Sequence, residues 1–360
     1  MTSAAETGAL PLGGTIGILG GGQLGRMLSV AASRLGLQCH IFEPGAEPPA
    51  GHVAHRVTTA PYDDKDALAT FARSVDVITY EFENVPADAL DALESLAPIR
   101  PGRNALATSQ DRLVEKRFLA DLSLGVAPFA PVDDANSLRD AIETIGTPAI
   151  LKTRRFGYDG KGQVRLSDTT DVDAALTEIA NAPAILEGFV PFDLEISVIA
   201  ARSSSGDIAC FDPGRNEHAE GILRTTTVPA PVDESVRTDA VAIASRILEA
   251  LDYVGVLGVE LFVSGSGLLV NEIAPRVHNS GHWTQNGCTI DQFEQHIRAV
   301  AGWPLGDPSR HSDVVMENLI GADMDGVAEL AARGDVGLHL YGKAETKPGR
   351  KMGHVNRLIG

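Results

Sequence analysis

Between residue 15 and about residue 96 the sequence alternates short apolar strands with helix-length segments, and this alternation restricts the fold more than any other feature. Residues 15–19, 37–42 and 75–80 read as buried strands, and residues 23–35 and 86–96 as helices. Gly20, Gly21 and Gly22 end the first strand and open the first helix. A βαβαβ rhythm of this kind demands a parallel sheet covered by helices.

The pattern then changes. A polar helix is expected from Ser109 to about Leu122, with Ser109 as its N-cap. A compact stretch follows to residue 191, with strands at 149–152 and 184–187 around a glycine-broken loop at 156–162. The remainder reads as a larger α+β unit, with strands near 194–201, 207–211, 256–263 and 268–273 and helices at 234–252 and 289–301. A chain of 360 residues is too long for one core. We expect an α/β domain at 1–107, a small domain at 108–191 and a larger domain at 192–360. No internal repeat is visible, which argues against a solenoid.

Composition narrows the function classes. The chain is 44% hydrophobic and 22% charged, as globular proteins are. It lacks a run of 18 apolar residues, so no membrane partner is expected. The opening residues read as a loose leader rather than a signal peptide. Cys39, Cys210 and Cys288 are scattered and odd in number, which suits a reduced, cytoplasmic setting. A formal net charge of -18 argues against nucleic acid. Phosphates must then be bound by local clusters.

Several clusters qualify. Gly20-Gly21-Gly22-Gln23-Leu24-Gly25 follows a strand and opens a helix, as a phosphate-binding turn does. It fits a plain tight turn equally, and as a nicotinamide fingerprint it lacks a convincing ribose partner. Phe156-Gly157-Tyr158-Asp159-Gly160-Lys161-Gly162 can fold over a polyphosphate, with Lys152 at the end of the strand before it. A flexible hairpin tip is the alternative. The run Asn271 to His282 packs Arg276, His278, Asn279 and Ser280 just past a strand end, where sites tend to lie. Tyr341 to His354 is a basic stretch in an acidic protein, either an anion site or a solvated loop.

The sharpest reading concerns Glu260 and Glu272. Each sits among apolar neighbours, with Ser264-Gly265-Ser266-Gly267 between them. A hairpin centred on Ser266 places them directly opposite, on one face. Two apposed carboxylates invite a divalent cation, and oxygen ligands suit Mg²⁺. A turn of even length would put them on opposite faces. Solvent-facing glutamates are the plain alternative.

Together these stretches resemble the ATP-grasp superfamily, and within it the 5-(carboxyamino)imidazole ribonucleotide synthase family of purine biosynthesis. The resemblance runs in order through Gly20 to Met27, Thr79 to Val85, Gln110-Asp111-Arg112, Gly157 to Gln163, Asn271 to Trp283 and Tyr341 to His354. It implies a three-domain ATP-grasp architecture with an N-terminal Rossmann-like, pre-ATP-grasp domain. It implies a ligase using ATP, bicarbonate and aminoimidazole ribonucleotide, with one or two Mg²⁺ or Mn²⁺ ions. Arg112, Lys152, Tyr158, Asp159, Gly160, Lys161, Gly162, Glu187, Val190 and Glu195 would bind ATP, with Glu187 on the adenine side and Glu195 at the ribose. Glu260 and Glu272 would hold the metal. Lys152, Arg276 and His278 would be catalytic, the last two at bicarbonate. Gln23, Glu81, Tyr158, Asp159, Asn279 and Ser280 would meet the ribonucleotide, and Lys343 and Arg350 its phosphate. Ala274 stands where many ATP-grasp enzymes carry asparagine, which leaves a second ion short of a ligand. A homodimer is implied, and a few residues beyond Gly360 are expected. Formyl transfer to a glycinamide ribonucleotide, biotin carboxylation, a nicotinamide oxidoreductase and a non-catalytic nucleotide sensor are the competing readings.

Overall fold

The first strand is short and buried because it lies in the middle of its sheet. In the computed structural model, which describes residues 8–157, 160–265 and 267–359, β1 (Thr15–Leu19) runs between β2 (Gln38–Phe42) and β4 (Val77–Tyr80). With β3 (Arg56–Thr58) they form a sheet of order β3-β2-β1-β4. All its pairings are parallel, as the strand–helix rhythm requires. The crossovers carry α1 (Gln23–Arg34) and α2 (Lys65–Ala72), and α3 (Ala87–Glu94) follows the last strand.

The expected polar helix at 109–122 is two helices, α4 (Arg103–Ser109) and α5 (Arg112–Asp121). Ser109 is not a cap; its hydroxyl donates back to Ala105 O. Asp111 caps α5 instead, accepting from Leu113 N and Val114 N. Its carboxylate also takes the Arg154 guanidinium, which ties the helix start to the next sheet.

That sheet is antiparallel, in the order β5-β8-β6-β7. It is built from β5 (Phe129–Val132), β6 (Ala149–Thr153), β7 (Gln163–Leu166) and β8 (Ala184–Gly188). α6 (Ala135–Ile145) and α7 (Val172–Glu178) supply the apolar cover.

The third sheet has nine strands. β9 (Leu194–Arg202), β10 (Ile208–Cys210), β11 (Gly214–Ala219), β12 (Ile222–Val228), β13 (Gly255–Ser264), β14 (Gly267–Ala274), β15 (Asp313–Ile320), β16 (Val336–Leu340) and β17 (Lys351–Ile359) form it. Their order is β14-β13-β9-β11-β12-β15-β17-β16, with β10 on β9. α8 (Glu234–Ala250) buries its alanine and isoleucine face against β9 and β13. α9 (Gln292–Val300) packs between that sheet and α1. One apolar cluster therefore runs from Leu24 and Met27 of α1 to Phe293, Ile297 and Tyr341. His296 pins this joint: Val256 N donates to its Nδ1 at 3.0 Å, and Thr79 Oγ1 lies 2.8 Å from its Nε2.

Candidate active site

The carboxylate pair comes from the β13–β14 hairpin, but not as the simple arithmetic has it. Ser264 pairs with Gly267, so only two positions lie between them; Ser266 itself is outside the described residues. This is the even-length turn, and continued regularly it would set Glu260 opposite Asn271. The ladder instead slips by one residue between Glu260 and Leu261. Glu260 is thereby brought opposite Glu272. A β-bulge, which opposes two residues to one, restores what the turn would have lost.

The environment of the pair is charged, with Glu260 buried and Glu272 partly open to the cleft. Arg112 donates to Glu272 Oε2 at 2.8 Å. Burial opposes ionisation of Glu272, yet that guanidinium outweighs it and holds the carboxyl down at about 2. Burial, and then Glu272 itself, push Glu260 well up. His278 Nε2 lies 3.6 Å from Glu260 Oε1, and its Nδ1 is 2.8 Å from Ser280 Oγ. Burial, with Arg276 beside it, pushes His278 down to about 3, so its ring is neutral at ordinary pH.

Glu195 and His218 complete the group. Ligand atoms of Glu195, His218 and Glu260 all lie within 4.8 Å of one another. Burial, then Glu272, raise Glu195 to about 7. The Glu195 Oε1 atom is buried without a hydrogen-bond partner. The apposed Glu260 and Glu272, with Glu195 beside them, concentrate carboxylate oxygens that a divalent, oxygen-seeking cation fits.

Lys152 stands on β6 and donates to Glu187 Oε2 at 2.9 Å. Lys116 of α5 lies 3.6 Å from the same oxygen and is almost fully buried. The Glu187 carboxylate thus faces two lysines, and burial loses to their charges, which hold its pKa below the usual range. Val190 follows two residues beyond β8. Gly160, Lys161, Lys152, Arg112 and Glu195 line one cleft of about 550 Å³ with Glu260, Glu272, Arg276, His278 and Asn279. Both polar atoms of the Asn279 side chain are buried without partners. Gly162 closes the loop by accepting from Thr153 N at 2.8 Å. Tyr158 and Asp159 lie outside the described residues.

The glycine turn after β1 departs from expectation. Its amides are already taken: Gly22 N and Gly25 N donate to the Glu81 carboxylate, and Gly21 N to Glu43. An acidic side chain from the end of β4 occupies the helix N-terminus where a phosphate was expected, held there by the unpaired amides and the helix dipole. Gln23 opens α1 and lines the 550 Å³ cleft. Lys343 and Arg350 line a second cavity of about 600 Å³ with Glu43, Tyr62 and Glu81. The two cavities share Gly22, Glu81 and Phe82.

Sequence reasoning passed over five members of this constellation. Glu83 receives Arg276 Nε at 2.6 Å, so the arginine is anchored. Lys351 and His218 line the main cleft. Glu115 and Lys116 share a helix face with Arg112, at i+3 and i+4, and that spacing was the available signal. The three cysteines are unpaired, and burial pushes Cys39 and Cys288 up to about 12, so both remain thiols.

A large antiparallel sheet, a small antiparallel sheet and a cleft of lysines, arginines and paired glutamates between them define an ATP-grasp enzyme. Residues 117–293 match the ATP-grasp domain, residues 14–110 the ribonucleotide synthetase preATP-grasp domain, and residues 314–359 the phosphoribosylaminoimidazole carboxylase C-terminal domain. The N5-carboxyaminoimidazole ribonucleotide synthase of Brucella melitensis is 55% identical over 97% of this chain and 98% of its own. That of Pseudomonas aeruginosa is 43% identical over 94% and 93%. The crystal structure of the Thermus thermophilus synthetase superposes with a TM-score of 0.89 at 44% identity, covering 96% of this chain and 93% of that one. The Aspergillus clavatus synthase, solved with ADP and 5-aminoimidazole ribonucleotide, gives 0.91 at 28% identity over 97% and 94%. The chain belongs to the N5-carboxyaminoimidazole ribonucleotide synthase family, ATP-dependent carbon–nitrogen ligases of purine biosynthesis.

Proposed function

We propose that this chain carboxylates the exocyclic amine of 5-aminoimidazole ribonucleotide with bicarbonate, through carboxyphosphate, and that the two adjoining cavities divide the work. The observation that carries this reading is their shared wall at Gly22, Glu81 and Phe82. A triphosphate in the first cavity and a ribonucleotide in the second then bring their reacting ends together.

Arg112, Lys152, Lys161 and the amides around Gly160 and Gly162 hold the polyphosphate. Glu195 takes the ribose, and the base sits against residues 187–190, meeting backbone groups because the Glu187 carboxylate is engaged by lysines. Glu260 and Glu272 hold Mg²⁺ or Mn²⁺, one ion or two, which when bound neutralises charge on the terminal phosphates. Arg276, fixed by Glu83, and neutral His278 orient bicarbonate. A bicarbonate oxygen attacks the γ-phosphorus, the bond to ADP breaks, and carboxyphosphate forms. The amine nitrogen then bonds to the carboxyl carbon, inorganic phosphate leaves, and the amine gives up a proton. Positioning and fixed charge do most of this work.

Lys343 and Arg350 clamp the ribonucleotide phosphate. Gln23, Glu81 and Asn279 meet its other end; Tyr158 and Asp159 are assigned to the same end from the sequence resemblance alone, and Ser280, buried and bonded to Ser197 and His278, acts there through His278. Domains at 1–107, 108–191 and 192–360, a homodimer and a cytoplasmic location complete the proposal. No helix among the described residues is long and apolar enough to cross a membrane. Incubation with ¹³C-bicarbonate, Mg-ATP and the ribonucleotide tests the reaction. A carbamate ¹³C resonance that depends on all three is expected; carboxylation of another acceptor, with none here, overturns it.

A further inference from the structure

The bulge in β14 decides on which face Glu272 lies, so whatever holds the bulge governs the carboxylate pair. β14 is the edge of its sheet; on its outer side Val270 N donates to Gly125 O at 2.7 Å, in a single bridge with Val126, and the backbone groups beyond it have no strand partner among the described residues. α5 meets these groups at the slip. Lys116 Nζ donates to Asn271 O at 2.7 Å and to Val270 O at 3.3 Å. Glu115 Oε1 accepts from Ile273 N at 2.5 Å. Arg112, one turn earlier, holds the Glu272 carboxylate itself. Three side chains of one helix face therefore grip four consecutive residues of β14.

Asn271 is the additional residue of the bulge, and its carbonyl is the one Lys116 approaches most closely. The uninterrupted alternative is available at little geometric cost, because the turn already favours it. In that register Glu260 faces Asn271, and Glu272 moves to the other face of the sheet. Lys116 is also an improbable residue for packing alone, since a lysine that is 1% exposed must have its ammonium satisfied.

We propose that Lys116 is a positioning residue whose contact with the Asn271 carbonyl locks the β-bulge and so keeps Glu260 and Glu272 on one face as a metal-binding pair. Glu115 supports it from the far side of the bulge. The inference rests on the reading that these two glutamates hold the metal.

The test is Mn²⁺ alone, titrated into the full chain and read by the free-ion electron paramagnetic resonance signal. Lys116→Met keeps the aliphatic stem and removes the donor. Mn²⁺ affinity is expected to fall by at least about tenfold, as loss of an outer-sphere partner typically causes. Amide exchange at Asn271, Glu272 and Ile273 should quicken while exchange in β9 does not. Lys116→Gln, with a shorter neutral donor, should lie between parent and Lys116→Met, and it carries the test if the methionine variant does not fold. Parent-like Mn²⁺ affinity in a folded Lys116 variant overturns the proposal. Glu272→Gln is the reference: it should lose Mn²⁺ outright. Parent-like binding there removes the metal reading itself, and this inference with it.

Discussion

Two glycine-rich segments look alike in the sequence and do opposite things in the structure. Gly20 to Gly25 follows a strand and opens a helix; Gly157 to Gly162 joins β6 to β7. In the first, the amides of Gly21, Gly22 and Gly25 are consumed by Glu43 and Glu81. In the second, the loop borders the cleft, and Gly160 approaches Gly221 at the tip between β11 and β12. Glycine at these positions permits close approach, and it does not say what approaches. The first turn is a joint between β1 and β4 closed by the protein's own carboxylate. That carboxylate also stands in the wall between the two cavities, whereas the second turn borders the first cavity alone.

The largest effect expected lies on the cleft side of this contrast. Glu272→Ala should abolish ADP formation, a loss of more than about a thousandfold, while the fold persists. Full activity would take Glu272 out of the metal site. At the joint the effect should be on stability. Gly20 has φ +100, and a Cβ there would stand 2.5 Å from Glu81 Cγ. Gly20→Ala should destabilise by about 2–3 kcal/mol, from overpacking plus the disfavoured φ. An unchanged melting temperature would show that the joint is loose.

Gly160 has φ +75, but its Cβ would find Gly221 Cα at 3.3 Å. Gly160→Ala should cost about 1 kcal/mol of stability from φ alone, with turnover falling about tenfold through misplacement in the cleft. A reversal of the two profiles, Gly20 affecting catalysis and Gly160 stability, would break the comparison. Glu81→Gln sharpens it further. One of two amides at the helix start loses its acceptor, for about 1–3 kcal/mol.

The smallest effect sits away from both turns. Burial pushes His296 from 6.5 to about 3. Its folded value is depressed, so its stabilising share is present above pH 6.5 and is lost as pH falls toward 3. Between pH 7 and 5.5 the parent should lose about 1 kcal/mol that a His296→Gln variant does not lose. Parallel pH profiles from chemical denaturation would contradict this.

Three strands of the parallel sheet were legible because strand and helix periods alternate before residue 96; β3, of three residues, and α2 were not read, being too short for their periods to show. The carboxylate pair was legible too, although through the wrong turn: composition marked Glu260 and Glu272, and only the bulge, a backbone irregularity with no residue signature, put them opposite. Lys116 and Glu115 were hidden because their partners are backbone groups more than 150 residues away. Glu81 was marked as a ligand residue, but its seat in the glycine turn, 56 and 59 residues away along the chain, was not readable. The tail was read for its charges, and strands β15 to β17 went unseen because they pair with one another and, through β15, with the distant β12.

The central claim is that the two cavities act as one site, and ADP release tests it most directly. Purified protein with Mg-ATP should release ADP slowly, then much faster when aminoimidazole ribonucleotide is added, and the acceleration should vanish when bicarbonate is removed. ADP release indifferent to the ribonucleotide would mean that the basic cavity does not serve this acceptor, and would contradict the account.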